Sequence, residues 1–202
     1  MAEIVTKGAF RRFAAMSPGL AVPVQIQGVE ACLLLDLDEC EHRRRRACGL
    51  VSITARESLR LLANLPHAEQ VRILDLSVAE RRLLRSMPSG AVEVSGKWVT
   101  RLIRPAVALG LFVVADDDPE RGLDLASTFA PFAPRILALT RRPSDLSTVE
   151  IEARFYGIGL SIVDRDSVQT LVEPEPLIRT AGPVTWRVRE EAYAAYLKAD
   201  AI

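Results

Sequence analysis

Apolar residues in the second half of the chain fall into three short runs: LFVVA from Leu111, RILAL from Arg135 and GLSIV from Gly159. They start 24 residues apart, and each is followed by a polar or turn-forming stretch, DDDPERG, TRRPSD and DRDS. Runs that are apolar on both faces suit strands buried inside a sheet. The segments between them are long enough for crossover helices, so the pattern predicts β-α-β-α-β with neighbouring parallel strands and right-handed connections. VQTLV, after the third run, predicts a returning antiparallel strand. Pro174, Pro176 and Pro183 mark an irregular connection, and WRVREEAYAAYLKA carries Val188, Ala192, Ala195 and Tyr196 at helical spacing, a terminal helix.

The stretch before the third run, VEIEARFYG, admits two periods. As a strand it aligns Glu150, Glu152 and Arg154 on one face, as a metal-binding strand would. As a helix it aligns Leu146, Val149, Ala153 and Tyr156 on an apolar stripe, offers Ser147 and Glu150 as a capping box, and makes Glu150 and Arg154 an i, i+4 pair. The helix also explains Gly157 as a stop. The helix is the reading adopted, which leaves these carboxylates as surface groups.

Upstream, SVAERRLLRSMP predicts a helix over 78–87 capped by Ser77 with Glu80, with Val78, Leu83 and Leu84 available for burial. AVEVSGKWVTRLIRPAVALG reads either as a hairpin turning at Ser95-Gly96 or as a strand followed by a helix that would align Lys97, Thr100, Arg101 and Arg104. Pro105 would cut that helix to about nine residues, which favours the hairpin. In residues 1–76, AVPVQIQGVEACLLLDL alternates as one or two strands, and TARESLRLLANLP predicts a helix with Leu59, Leu62 and Ala63 inward. The expected organisation is a smaller α+β N-terminal region over 1–76 and an α/β domain over 77–202.

At 202 residues and 49% hydrophobic content the chain can bury a substantial core without staples. No apolar run is long enough to cross a bilayer, and the N-terminus lacks a signal-peptide core, so no membrane partner and a cytoplasmic location are expected. Cys32, Cys40 and Cys48 are an odd set, expected as reduced thiols. Charge cancels overall but not locally: residues 1–110 hold 16 Lys and Arg against 11 Asp and Glu, net +5, and residues 111–202 hold 10 against 15, net −5. The basic residues are 23 Arg and 3 Lys, a bias that suits either a GC-rich genome or bidentate phosphate contacts.

Two groups carry candidate chemistry. Ligands of open parallel sheets sit beyond the carboxyl ends of the strands, where Asp116, Asp117, Asp118, Arg141, Arg142, Asp145, Asp164, Arg165 and Asp166 would gather. Their carboxylates could hold a divalent cation and their arginines a phosphate; capping helices and solvating loops is the plainer role. The second group is ECEHRRRRAC, in which Arg43, Arg44, Arg45 and Arg46 could neutralise nucleic-acid phosphates or form a solvated helix face beside Glu39 and Glu41. Cys32, Cys40, His42 and Cys48 lack the short Cys-x-x-Cys spacing of a zinc knuckle, and His67 has no Cys or Ser partner in sequence. No Gly-x-Ser-x-Gly or phosphate-binding loop occurs, so no cofactor is implied.

With the hairpin reading, helix 78–87, strands near 91–94, 97–103 and 111–115, helix 121–130 and strand 135–140 follow in the order αβββαβ. This order resembles the core of the PD-(D/E)XK nuclease-like superfamily, and EARFYGIGLSIVD is similar to the helix-to-strand step that follows the core in several members. The resemblance covers about residues 77–172 and implies a mixed sheet. It also implies an acidic residue on the second core strand and an acidic-x-Lys on the third. KWVTRLI has no carboxylate, and LFVVADD places Val114, Ala115 and Asp116 where the motif belongs. The resemblance therefore implies a catalytically silent relative, without metal, that contacts nucleic acid or scaffolds a nucleic-acid-processing complex. Arg43, Arg44, Arg45, Arg46, Arg81, Arg82, Lys97, Arg101 and Arg104 would face the phosphates. Three other expectations stand beside it: a helix-turn-helix regulator or antitoxin that needs 96–104 helical, a metal-dependent phosphoryl-transfer enzyme using the strand-end aspartates, and a protein-binding subunit or homo-oligomer.

Overall fold

The computed structural model describes residues 10, 11, 13, 15, 19–164, 167–177 and 182–200. Along the chain stand β1 (Leu20–Ile26), β2 (Val29–Leu37), α1 (Glu39–Ala47), α2 (Arg56–Asn64), β3 (Gln70–Arg72), α3 (Val78–Arg85), β4 (Val92–Ser95) and β5 (Trp98–Arg101). They are followed by β6 (Val107–Ala115), α4 (Pro119–Ser127), β7 (Arg135–Leu139), α5 (Leu146–Phe155), β8 (Gly159–Val163), β9 (Val168–Val172) and α6 (Pro183–Asp200). The chain folds as α/β with a mixed sheet, and divides into two compact units: residues 1–36 with 109–180, and residues 37–108 with 181–202. The boundary expected at residue 76 falls inside the second unit. Residues 1–36 group with the second half of the chain because β2 takes its place beside β6 in the large sheet.

That sheet runs β1-β2-β6-β7-β8-β9. β6, β7 and β8 are parallel neighbours, with Val113 opposite Ile136 and Leu137 opposite Leu160, as the three apolar runs predict. Phe112, Val113 and Val114, the whole of Ile136–Leu139, and Leu160 are buried, which is why these strands carry no polar alternation. β9 returns antiparallel to β8 with an irregularity at Leu160/Ser161. β1 and β2 form an antiparallel hairpin, and Pro23 is tolerated because β1 is an edge strand.

The stretch at 146–155 is the expected helix, so Glu150, Glu152 and Arg154 do not share a strand face. Its cap is Asp145, not Ser147: the Asp145 carboxylate accepts from the Thr148 amide at 3.1 Å and hydroxyl at 2.7 Å. Helical backbone already begins at Leu146, which leaves Ser147 inside the first turn. Val149 and Ala153 are buried, Leu146 is half-buried and Tyr156 exposed. Arg154 donates to the Leu171 carbonyl at 3.4 Å rather than reaching Glu150. The helix ends on Gly157 at φ 63°, with Ile158 N–H on the Ala153 carbonyl and Gly157 N–H on that of Arg154, a Schellman closure that needs a residue free to enter the left-handed region.

The second unit carries the small antiparallel sheet β3-β5-β4. The hairpin alternative holds: Ser95 stands opposite Trp98, and Gly96 supplies φ 58° at the first loop position, where a type II′ turn requires it. Residues 98–101 are therefore strand, and the basic helical stripe of Lys97, Thr100, Arg101 and Arg104 does not form; the helix-turn-helix reading loses its recognition helix. The succession α3, β4, β5, β6, α4, β7 is present along the chain, but β4 and β5 pair within the small sheet while β6 belongs to the large one. α3 has the predicted box, Ser77 Oγ accepting from Glu80 N–H at 3.2 Å and the Glu80 carboxylate accepting from Ser77 N–H at 2.8 Å. Leu83 and Leu84 are half-buried, but Val78 is 58% exposed. Leu59 and Leu62 of α2 pack with Leu50, Ile53, Ala91, Ile103 and Trp186 into the core of this unit.

Candidate functional site

The arginine run lies on α1, capped by Asp38, whose carboxylate accepts from Glu41 N–H at 3.0 Å. Helical phase splits the run. Glu41, His42 and Arg45 face inward, Arg43 and Arg46 face solvent, and Arg44 is half-buried. The fully buried Arg45 guanidinium is satisfied on all sides. Its Nε donates to Glu41 at 2.9 Å, Nη1 and Nη2 donate to Glu190 at 2.8 and 2.7 Å, and Nη2 also donates to the Arg104 carbonyl at 2.6 Å. Glu190 further accepts from Ile53 N–H at 2.9 Å and from the Trp186 indole at 3.1 Å. Arg44 grips Glu41 with two bonds of 2.8 Å and donates to the Gly90 carbonyl at 2.8 Å. Burial pushes the Glu41 carboxyl up, but the hydrogen bonds and charges of Arg44 and Arg45 outweigh it and hold the group below its ordinary value. For Arg45 the loss of solvent is likewise outweighed by Glu190 and Glu41, leaving it above its ordinary value. Arg44 and Arg45 are thus structural cations.

The outward members remain available. Arg43 and Arg46 border an open cavity of about 650 Å³ with Glu39, His42 and Tyr196. The floor is fixed by His42, whose Nδ1 lies 3.0 Å from the Tyr193 hydroxyl and whose ring meets those of Tyr193 and Tyr196 edge-on. Arg82 and Lys97 are exposed and Arg81 half-buried. Arg104 pairs with Asp38 at 2.8 Å, both partly exposed. Trp98, 40% exposed, stands in register with Arg72, whose guanidinium lies 5.9 Å from its ring centroid. Arg101 donates to the Leu62 carbonyl at 2.8 Å and covers the Trp186 ring at 5.1 Å, in the wall of a second cavity of about 430 Å³. All nine basic residues expected to face phosphates fall in one unit. That unit, 37–108 with 181–202, holds 16 Lys and Arg against 11 Asp and Glu, net +5; the other holds 10 against 15, net −5.

Sequence reading missed Glu190, Tyr193 and Trp186, which complete this arrangement. Their signal is the i, i+4, i+7 spacing of Trp186, Glu190 and Tyr193: a carboxylate inside an otherwise apolar stripe asks for a buried cation.

The strand-end set behaves differently. The loops after β6 and β7 do meet, because Asp117 accepts from the Thr140 amide at 3.0 Å and hydroxyl at 2.6 Å. Asp116, whose side chain is 7% exposed, is held by Arg121 through two bonds of 2.8 Å and by Asp118 N–H at 2.9 Å. Burial raises its carboxyl and these donors outweigh it, so it stays ionised below the usual range. Asp118 and Asp145 cap α4 and α5. Arg141 approaches Asp117 only to 3.9 Å and Arg142 reaches Gln169 at 3.5 Å, both exposed. Asp164 donates its amide to the Ser167 carbonyl at 2.9 Å, while Arg165 and Asp166 lie outside the described residues. Among the described residues no group of three or more His, Cys, Asp or Glu side chains is gathered for a metal; Cys32 lies in β2, whereas Cys40, His42 and Cys48 stand on α1 and at its C-cap. No described helix is long and apolar enough to cross a membrane.

The chain matches no protein-family model, no curated protein and no solved structure.

Proposed function

We propose that this protein is a non-catalytic nucleic-acid-binding subunit, and that residues 37–108 with 181–202 form the binding unit. The observation that carries the reading is the partition of charge, +5 in this unit against −5 in the other, together with the outward direction of Arg43, Arg46, Arg82 and Lys97 once Arg44 and Arg45 have been taken up internally. Exposed guanidinium groups with no tight carboxylate partner among the described residues suit the phosphate chain, and an exposed Trp98 beside Arg72 offers a face on which an unpaired base can stack. The non-catalytic part rests on the strand-end carboxylates: Asp116 and Asp117 are occupied by Arg121 and Thr140, and Asp118 and Asp145 cap helices. The same unit could present its arginines within a larger assembly, which is the scaffolding form of this function.

Fluorescence anisotropy with labelled duplex and single-stranded DNA, at low and moderate salt, tests it. Binding should weaken steeply with salt, and the Arg43→Glu, Arg46→Glu double variant should flatten the log–log slope by about one per lost phosphate contact. Salt-insensitive binding, or none at low salt, would discard the reading.

A further inference from the structure

The small sheet β3-β5-β4 has two unlike faces. Alternation along β5 turns the fully buried Val99 toward Leu61, Leu65 and Leu76, and turns Trp98 and Thr100 the other way. Cross-strand register fixes the rest of that outer face: Arg72 and Ser95 stand opposite Trp98, and Gln70 and Glu93 stand opposite Thr100. All of these side chains except Trp98 are polar, and all except the half-buried Thr100 are exposed. Trp98 is therefore a large aromatic ring, 40% exposed, with no apolar neighbour in the two rows of its own face.

Charge is arranged to one side of that ring. The Arg72 guanidinium, on β3, lies 5.9 Å from the ring centroid, at the outer limit of a cation–π contact, so it borders the indole while staying exposed. The Ile73 amide donates to the Lys97 carbonyl at 2.9 Å, which ties the turn between β4 and β5 to the end of β3 and sets the exposed Lys97 at the same end of the sheet as Arg72. The one carboxylate of the two rows, Glu93, stands on β4, the strand away from Arg72. Phosphates are thus favoured along β3 and the turn, and a ring for stacking lies beside them on β5. A duplex keeps the faces of its bases inside its own stack and offers only their edges and its phosphates, so Trp98 adds nothing to its binding. An unpaired strand can use both the ring and the cations.

We propose, on the reading that this unit binds nucleic acid, that its ligand is single-stranded, with a base stacked on Trp98 and the adjoining phosphates held by Arg72 and Lys97.

Fluorescence anisotropy at moderate salt, where attraction to phosphate alone is weakened, tests this with labelled oligothymidylate, oligouridylate, an abasic single strand and a duplex of equal length. Both base-bearing single strands should bind more tightly than the duplex and the abasic strand, and the tighter of the two identifies the preferred sugar. Trp98→Leu, which keeps apolar bulk and removes the π face, should weaken the base-bearing strands about tenfold and leave the duplex and the abasic strand unchanged. Trp98→Phe should keep most of the parent affinity. Arg43→Glu, Arg46→Glu should weaken every probe, because it removes charge and not stacking. Equal affinity for all four probes, or a folded Trp98→Leu protein that titrates like its parent, overturns the single-strand assignment and leaves salt-sensitive binding standing. Absence of salt-sensitive binding to every probe overturns both.

Discussion

Replacing Glu190 by Gln changes one atom and places an amide nitrogen where a carboxylate oxygen accepts. Glu190 receives four bonds: two from Arg45, one from Ile53 N–H and one from the Trp186 indole. Each oxygen takes two of them, so Gln keeps one pair and turns N–H groups toward the other pair of donors. Two lost bonds, at least one of them charge-assisted at about 1.5–3 kcal/mol, and an Arg45 left with Glu41 as its sole counter-charge put the cost at about 3–5 kcal/mol. That is a large share of a domain stability of about 5–15 kcal/mol. With a urea m-value of about 2 kcal/mol/M, the midpoint should fall by about 2 M. Tryptophan emission is the right readout, because both indoles lie in the unit that contains Glu190 and none in the other. The Arg45→Met, Glu190→Leu double variant should lose much less than the sum of its single variants, since it removes the stranded charge along with its partner. Glu41 remains paired to Arg44 in that protein. A midpoint shift under about 0.5 M for Glu190→Gln, or strict additivity in the double variant, would refute the view that a buried ionic network anchors α1 to α6.

Two further outcomes follow from local geometry. Asp145→Ala should lower stability by about 1 kcal/mol, and Ser147→Ala by a few tenths at most, in thermal melts followed by far-ultraviolet circular dichroism; the reverse order would return the cap of α5 to Ser147. Cys32 is 3% exposed and burial pushes its thiol up to about 11, whereas Cys40 and Cys48 are exposed. An aromatic disulfide reagent at about pH 8 should therefore titrate two thiols promptly and the third only after denaturation, and three prompt thiols would remove Cys32 from the interior of the large sheet.

What could be read in the chain was what leaves a local mark. β6, β7 and β8 are apolar on both faces because both faces are covered, and α3 announces itself through Ser77 and Glu80. The pairing of β2 with β6 has no such mark: residues 20–37 alternate like any edge hairpin, and their place depends on a partner some seventy positions away. The turn of that hairpin was also hidden, since Gln27 enters the left-handed region at φ 53° without the Asn or Asp that usually signals it. α1 is the sharpest case. ECEHRRRRA has no apolar stripe, so hydrophobic period says nothing about which side is inside, and a count of its charges makes all four arginines equal. The helix buries itself through Glu41, His42 and Arg45, and their distant partners, Glu190, Tyr193 and the Arg104 carbonyl, decide it.

The charge division is the same whether the chain is divided at residue 110 or by compact unit, for a reason of its own. Residues 1–36 carry 3 basic and 3 acidic side chains, and residues 181–202 also carry 3 and 3, so exchanging these segments between halves moves no net charge. The whole basic excess then sits in residues 37–108, with 13 Lys and Arg against 8 Asp and Glu, and the whole acidic excess in residues 109–180, with 7 against 12. Each excess therefore belongs to one continuous stretch that folds within one unit, and any polyanion drawn to this chain is drawn to the stretch that holds Arg43, Arg46, Arg82 and Lys97.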